Sequence, residues 1–211
     1  MRSRARAGLY RTPRAIMTDF NVAIVLTLKR EGVVFDARGV PVPGRTGYNN
    51  DPDDPGGETN YGITKAVAIA NGYMGPMIDI PYEIVLNIYK KIFWDINRLG
   101  DLASQAVANE VFDTGVLAGP RTAGAMLQRA LNVLNKGATL WPDVARIGAI
   151  DRITIAAANK CVMIPNGDRA ILELLNAYLG EHLTTNTERN PKLEKYIWGW
   201  IAKRMGVLNP A

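Results

Sequence analysis

Apolar positions recur at intervals of three and four along most of the chain, the period of one helix face. Phe20, Ala23, Ile24, Thr27, Leu28 and Glu31 share such a face. Pro81 opens a second stripe of Tyr82, Val85, Leu86, Tyr89 and Phe93, and a third begins near Asp101 with Leu102, Ala106, Val107 and Val111. Gly119-Pro120 opens a fourth through Ala123, Met126, Leu127, Ala130, Leu131 and Leu134. Both prolines suit a first helical turn, where no donor is lost. A shorter helix is expected over 150–160 and a longer one over 168–182. The last begins at Asn190-Pro191, with Leu193, Tyr196, Ile197, Trp200, Ile201 and Arg204 as its stripe and Trp200 read as core. Strand-like alternation is confined to Val33–Val42 and the neighbourhood of Tyr61. The pattern predicts an all-α fold with at most one small hairpin, α+β only to that extent.

One segment fits neither period. Asp51-Pro52-Asp53-Asp54-Pro55-Gly56-Gly57-Glu58-Thr59-Asn60-Tyr61-Gly62-Ile63-Thr64 is dense in carboxylates, glycines and hydroxyls. Pro and Gly break regular structure, and Asp, Asn and Thr bond their own backbone in turns. At the end of the helical run that precedes it, Glu31 leaves an apolar helix face where Gly32 ends the helix. Partial desolvation disfavours the charged carboxylate, and a carboxyl that keeps its proton can donate to a glycosidic oxygen. Glycosidic cleavage wants such an acid on one side of the bond and a carboxylate or held water on the other. Asp51, Asp53 and Asp54 offer the second carboxylate, and Thr59 can orient a water. Calcium is the rival ligand, but a loop counted from Asp51 places Gly62 where a glutamate is required. A purely structural set of turns is the other alternative.

Charge and composition narrow the class. The net charge of +5 comes from Arg2, Arg4, Arg6, Arg11 and Arg14; without them the 25 basic residues fall to 20, equal to the acidic ones. The pI thus reflects residues 1–16, read as a flexible basic arm, with Met17 a candidate start and Thr18-Asp19 a helix cap. No nucleic-acid face is indicated. The apolar run at Phe20–Leu28 is too short to span a membrane and no cleavage site follows it. The single Cys161 excludes an internal disulfide, and the single His182 argues against His-rich metal sites and Ser-His nucleophiles. Asp113, in a mostly apolar helix, is either a cleft residue or a buried, hydrogen-bonded one. Trp198 is a candidate sugar-stacking residue, Asn60 and Tyr61 candidate glycan contacts.

At these residues the chain resembles glycoside hydrolase family 108. The family's Glu-Gly after a first amphipathic helix is matched by Glu31-Gly32, and its Asp-Pro-Gly-Gly-x-Thr-x-Tyr-Gly-Ile-Thr run by the segment ending at Thr64. Ile88–Trp94, Val111–Gly119 and Leu127-Gln128 are similar to further family segments, and 147–204 to the peptidoglycan-binding module that follows this domain. Val33 replaces the family's second glycine, residues 33–46 are an insertion beside the cleft, and Val116-Leu117 stands for the usual Val-Asn. The resemblance implies a lysozyme-like helical fold with a catalytic part over 17–136 and a smaller helical part over 137–211, joined near Gly137–Gly148. It implies an N-acetylmuramidase in which Glu31 is the acid and Asp54 and Thr59 hold the attacking water, with Asp51 the alternative aspartate. Asp51, Asn60, Tyr61, Asp113 and Trp198 are then the substrate contacts. No metal or cofactor, a monomer, and no membrane insertion are expected. The implied setting is a phage endolysin, held in the host cytoplasm, released by a holin and acting on the periplasmic wall. A lytic transglycosylase and a non-enzymatic wall-binding or virion protein of the same fold are the alternatives.

Overall fold

The structure, a computed structural model, describes residues 18–51 and 57–204. The arm, Met17 and Asp54 lie outside them. Helix α1 (Phe20–Arg30) starts at Asp19, whose carboxylate accepts from the Asn21 N–H at 2.8 Å. It ends in a Schellman turn: Gly32 takes φ +90°, its N–H bonds the Lys29 carbonyl at 3.1 Å, and the Val33 N–H bonds that of Leu28 at 3.0 Å. Such a turn wants an apolar residue after the glycine, and Val33 is buried there against the core.

A short hairpin, β1 (Thr59–Asn60) and β2 (Ile63–Thr64), leads into α2 (Lys65–Ala70). The remaining α-helices are α3 (Tyr82–Tyr89), α4 (Gln105–Ala118), α5 (Pro120–Leu134), α6 (Arg152–Val162), α7 (Gly167–Arg189) and α8 (Glu194–Arg204). The expected all-α architecture is present, with the one small hairpin near Tyr61. The structure adds α2 and a widened π turn over Lys90–Asp95 that extends α3. Helix α4 starts later than the apolar stripe, because Ser104 caps it and Leu99–Asp101 forms a 3₁₀ turn first. Helix α7 runs well past His182; Leu175, Leu179, Leu183 and Thr187, four apart, keep one face buried to its end.

Helix α4 is the centre, packed on α1, α5 and α7. Phe112 meets Phe20, Tyr89, Phe93 and Trp94 edge-on or tilted, with ring centroids 5.8–6.3 Å apart. The same hydrophobic cluster continues through Trp141, Ile150 and Leu175, so elements on both sides of residue 137 share one core. Among the described residues, no helix is long and apolar enough to cross a membrane.

The last helix departs from expectation. Of α8 only Arg204 is buried. Trp200 is half-buried and stacked on Tyr196 at 5.7 Å rather than sunk in the core. Trp198 is 83% exposed. Tyr196 and Trp200 of α8 instead line a groove shared with Glu31.

Candidate active site

Glu31 closes α1 with its backbone still helical and its side chain 27% exposed. The hairpin turn packs directly on it. Tyr61 and Gly62 take φ +53° and +71°, the two left-handed residues of a type I′ turn. A Cβ at Gly62 would lie 2.9 Å from the Tyr89 hydroxyl, 3.3 Å from Glu31 Cγ and 3.5 Å from Glu31 Oε2. Only glycine lets the turn approach the carboxylate this closely. The turn is tied on three sides: the Tyr89 hydroxyl donates to the Tyr61 carbonyl at 2.8 Å, the Tyr61 N–H to the Thr46 carbonyl at 3.0 Å, and the Asn60 amide to the Met77 carbonyl at 2.8 Å. Burial, then the nearby Glu31 charge, pushes the Tyr89 phenol far up, so it remains a neutral donor.

The inserted segment is a folded loop. Val34 N–H bonds the Arg45 carbonyl at 2.9 Å, Val42 N–H the Val34 carbonyl at 2.8 Å, and Asp36 caps its tip through the Arg38 and Val40 amides. It returns to the end of α1 at Gly47, where a Cβ would sit 3.2 Å from the Glu31 carbonyl. Its prolines, with Tyr48, Tyr61 and Asp79, line a cleft of ≈ 680 Å³ beside the turn.

Below Glu31 lies a buried charge network. Arg204 donates from Nη2 to Glu31 Oε1 and from Nε to Asp113 Oδ2 at 3.1 Å. Arg30 Nη1 reaches the same Asp113 oxygen at 2.7 Å. Two guanidinium groups thus face two carboxylates, with Arg204 and Asp113 almost fully buried. Glu110, one turn before Asp113, is buried beside them. Burial, and secondarily Asp113, pushes its carboxyl up to about 7, against the pull of Arg30 and Arg204. The sequence reading did not single out Arg30, Arg204 or Glu110 for a site. The signal for Arg204 was its place four residues beyond Trp200 on the α8 stripe, where an arginine needs an acidic partner.

The other candidates separate clearly. Thr59 is half-buried, its backbone paired with Asn49 and Thr64, which closes the acidic loop at its base. Asp51, exposed, donates its N–H to Asn49 Oδ1 at 3.2 Å. Asn60 is 1% exposed and its amide nitrogen is held by Met77, so it ties the hairpin down. Tyr61 is buried, tilted on Tyr82 at 5.7 Å, and presents an edge to the 680 Å³ cleft. Asp113 takes the second of its two readings, a buried, ion-paired carboxylate. Trp198 does not line the groove at Glu31. That groove, ≈ 250 Å³, is bounded by Arg30, Glu31 and the α8 residues Lys195, Tyr196, Gly199, Trp200, Lys203 and Arg204. A larger hollow of ≈ 740 Å³ near Asp19 lacks Glu31, and its Asp95 and Asp101 are ion-paired with Lys90 and Arg98.

Glu31 stands partly exposed at a helix end against a glycine turn, and residues 25–119 match the family model described as Glycosyl hydrolase 108. Residues 25–119 are thus similar to a glycosyl hydrolase 108 domain. The match runs from the second half of α1 through the hairpin, α3 and α4, and so includes Glu31 and its turn; the enzyme is a glycoside hydrolase. No curated protein matches the chain. Among solved structures it is similar to that of Brucella abortus SagA, with TM-score 0.59 and 21% identity over 91% of this chain and 97% of that one. At that identity the likeness concerns the fold. Helix α8, with Arg204, lies beyond the matched segment.

Proposed function

We propose that this glycoside hydrolase acts on peptidoglycan, cleaving the β-1,4 bond between N-acetylmuramic acid and N-acetylglucosamine. The observation that carries the reading is Glu31 itself: among the described residues of the matched segment, it is the carboxylate lodged between the Tyr61-Gly62 turn and an open groove. From its protonated form Glu31 gives a proton to the leaving oxygen. Asp54 and Thr59, in the loop whose ends are joined by the Asn49–Thr59 pairing, hold a water on the opposite face, with Asp51 the substitute aspartate. Attack by that water inverts the anomeric centre. Arg204 and Arg30 fix the network that holds Glu31 in place. In the setting this implies, the enzyme is a monomeric phage endolysin that leaves the host cytoplasm with a holin and meets its substrate in the periplasm.

The test is mass analysis of digested peptidoglycan. A hydrolase leaves a reducing-end muramic acid, and Asp54→Asn lowers its yield by about 10²-fold or more. A 1,6-anhydro product would mean a transglycosylase, in which no water is held. Binding without any product would mean a wall-binding protein.

A further inference from the structure

A second charged groove, of ≈ 360 Å³, is formed by α5 and α7 and shares no residue with the Glu31 groove. Three arginines reach it from three parts of the chain: Arg129 from α5, Arg146 from the segment between α5 and α6, and Arg189 from the last turn of α7. Part of its lining is already ordered. Arg129 stands over the Tyr178 ring at 4.0 Å and bonds Glu181 Oε2 at 2.8 Å, so its guanidinium is fixed in place. The ring of His182, the chain's one histidine, is hydrogen-bonded to Asn186 at 2.9 Å. Arg146 and Arg189 are exposed, and among the described residues neither guanidinium has a carboxylate or carbonyl partner. Glu181 is the groove's acid, and Arg129 uses it; three arginines against one glutamate leave a surplus of two positive charges. The end of α7 favours a positive charge at Arg189, but nothing local calls for Arg146.

We propose that this groove binds a phosphoryl group, gripped by Arg146 and Arg189. A phosphate monoester carries nearly two negative charges and three acceptor oxygens, which matches the surplus charge, and guanidinium forks pair such oxygens two at a time. A carboxylate has one charge and two oxygens and would leave one arginine unmatched. Arg129, already held by Glu181 and Tyr178, adds its charge without having to move. The volume suits a phosphate with a small group attached, either a soluble ester or the phosphate end of a lipid headgroup, which present the same chemistry. Binding there ties the enzyme to a phosphate-bearing molecule and leaves the Glu31 groove open.

The experiment titrates the full chain with inorganic phosphate at constant pH and ionic strength, reading the ring signals of His182 by NMR as a single-residue probe of the groove. Saturable shifts are expected. Arg146→Ala and Arg189→Ala keep the fold by circular dichroism, each weaken phosphate binding by about tenfold, and clear permeabilised cell walls at the wild-type rate. Sedimentation with vesicles of equimolar phosphatidylcholine and phosphatidic acid, against phosphatidylcholine alone, identifies the source. Cosedimentation with the acidic vesicles that free phosphate reverses assigns a lipid headgroup; phosphate binding without it assigns a soluble ester. No saturable shift, or equal affinity in the wild type and both variants, would overturn the site. Displacement of phosphate by dephosphorylated peptidoglycan fragments, or a parallel loss of clearing in the variants, would also overturn it, since the groove would then belong to a wall-binding surface. Phosphate binding in a chain that clears no walls would leave the site standing and remove the peptidoglycan reading.

Discussion

Glu110 and Glu31 are carboxyls of opposite design. Glu31 is at a helix end, partly open and paired with Arg204; Glu110 is enclosed beside Asp113 with its proton affinity raised to about 7. The enclosed group makes stability depend on pH. Below the ordinary value of 4.5 it is protonated folded and unfolded alike. Between 4.5 and about 7 only the folded state keeps the proton, so stability falls as pH rises through that window and then levels off. The loss is about 3 kcal/mol at most. Glu110→Gln has no such titration; melting curves should show its Tm gaining on the wild type by several degrees from pH 4.5 to pH 8. A constant difference would mean that Glu110 keeps its charge in the fold. Glu31 was legible from the sequence because an acid at the end of an apolar stripe, followed by glycine, is an unusual local pattern. Arg204 was not, since the partner that makes it informative is at the other end of the chain.

At the scale of elements, the hairpin is the precise part. Its two-residue turn needs positive φ at both positions, and Gly62 is the one that lies against Glu31. Gly62→Ala should displace either the turn or the glutamate, lowering kcat by about tenfold or more while costing only about 1–2 kcal/mol of stability. Parallel kcat and denaturation measurements check the split; an equal loss in both would mean the turn serves folding alone. The Tyr-Gly-Ile-Thr text betrayed this hairpin in outline. What it could not give was the placement of the inserted loop, because nothing local says that residues 33–46 fold back on themselves and return at Gly47. The stripe of α8 was read correctly as one face and wrongly as core: periodicity finds the face, but its Tyr196–Trp200 stack looks into a groove.

At the scale of the whole molecule, Arg204 joins the end of the last helix to the end of the first and to the central α4. Arg204→Met would leave Asp113 buried with Arg30 as its remaining partner, and its Oδ1 already lacks a hydrogen bond. Breaking a buried pair in this way costs about 3 kcal/mol or more, measurable by denaturant unfolding, and Arg204→Lys should recover only part because one ammonium cannot fork to both carboxylates. A loss below about 0.5 kcal/mol, the usual range for surface substitutions, would show that α8 is not anchored there. The helical architecture was legible from apolar spacing, whereas the meeting of the first and last helices at one carboxylate depends on long-range pairing that spacing does not encode.

Everything in the functional reading passes through the Glu31 carboxyl. The most direct measurement is clearing of permeabilised Gram-negative cell walls by wild type and Glu31→Gln, at matched concentration and with matched circular dichroism. The wild type should clear the suspension, and Glu31→Gln, which keeps the shape and loses the proton, should be slower by about 10²-fold or more. Equal clearing by the two proteins would contradict the assignment of Glu31 as the catalytic acid.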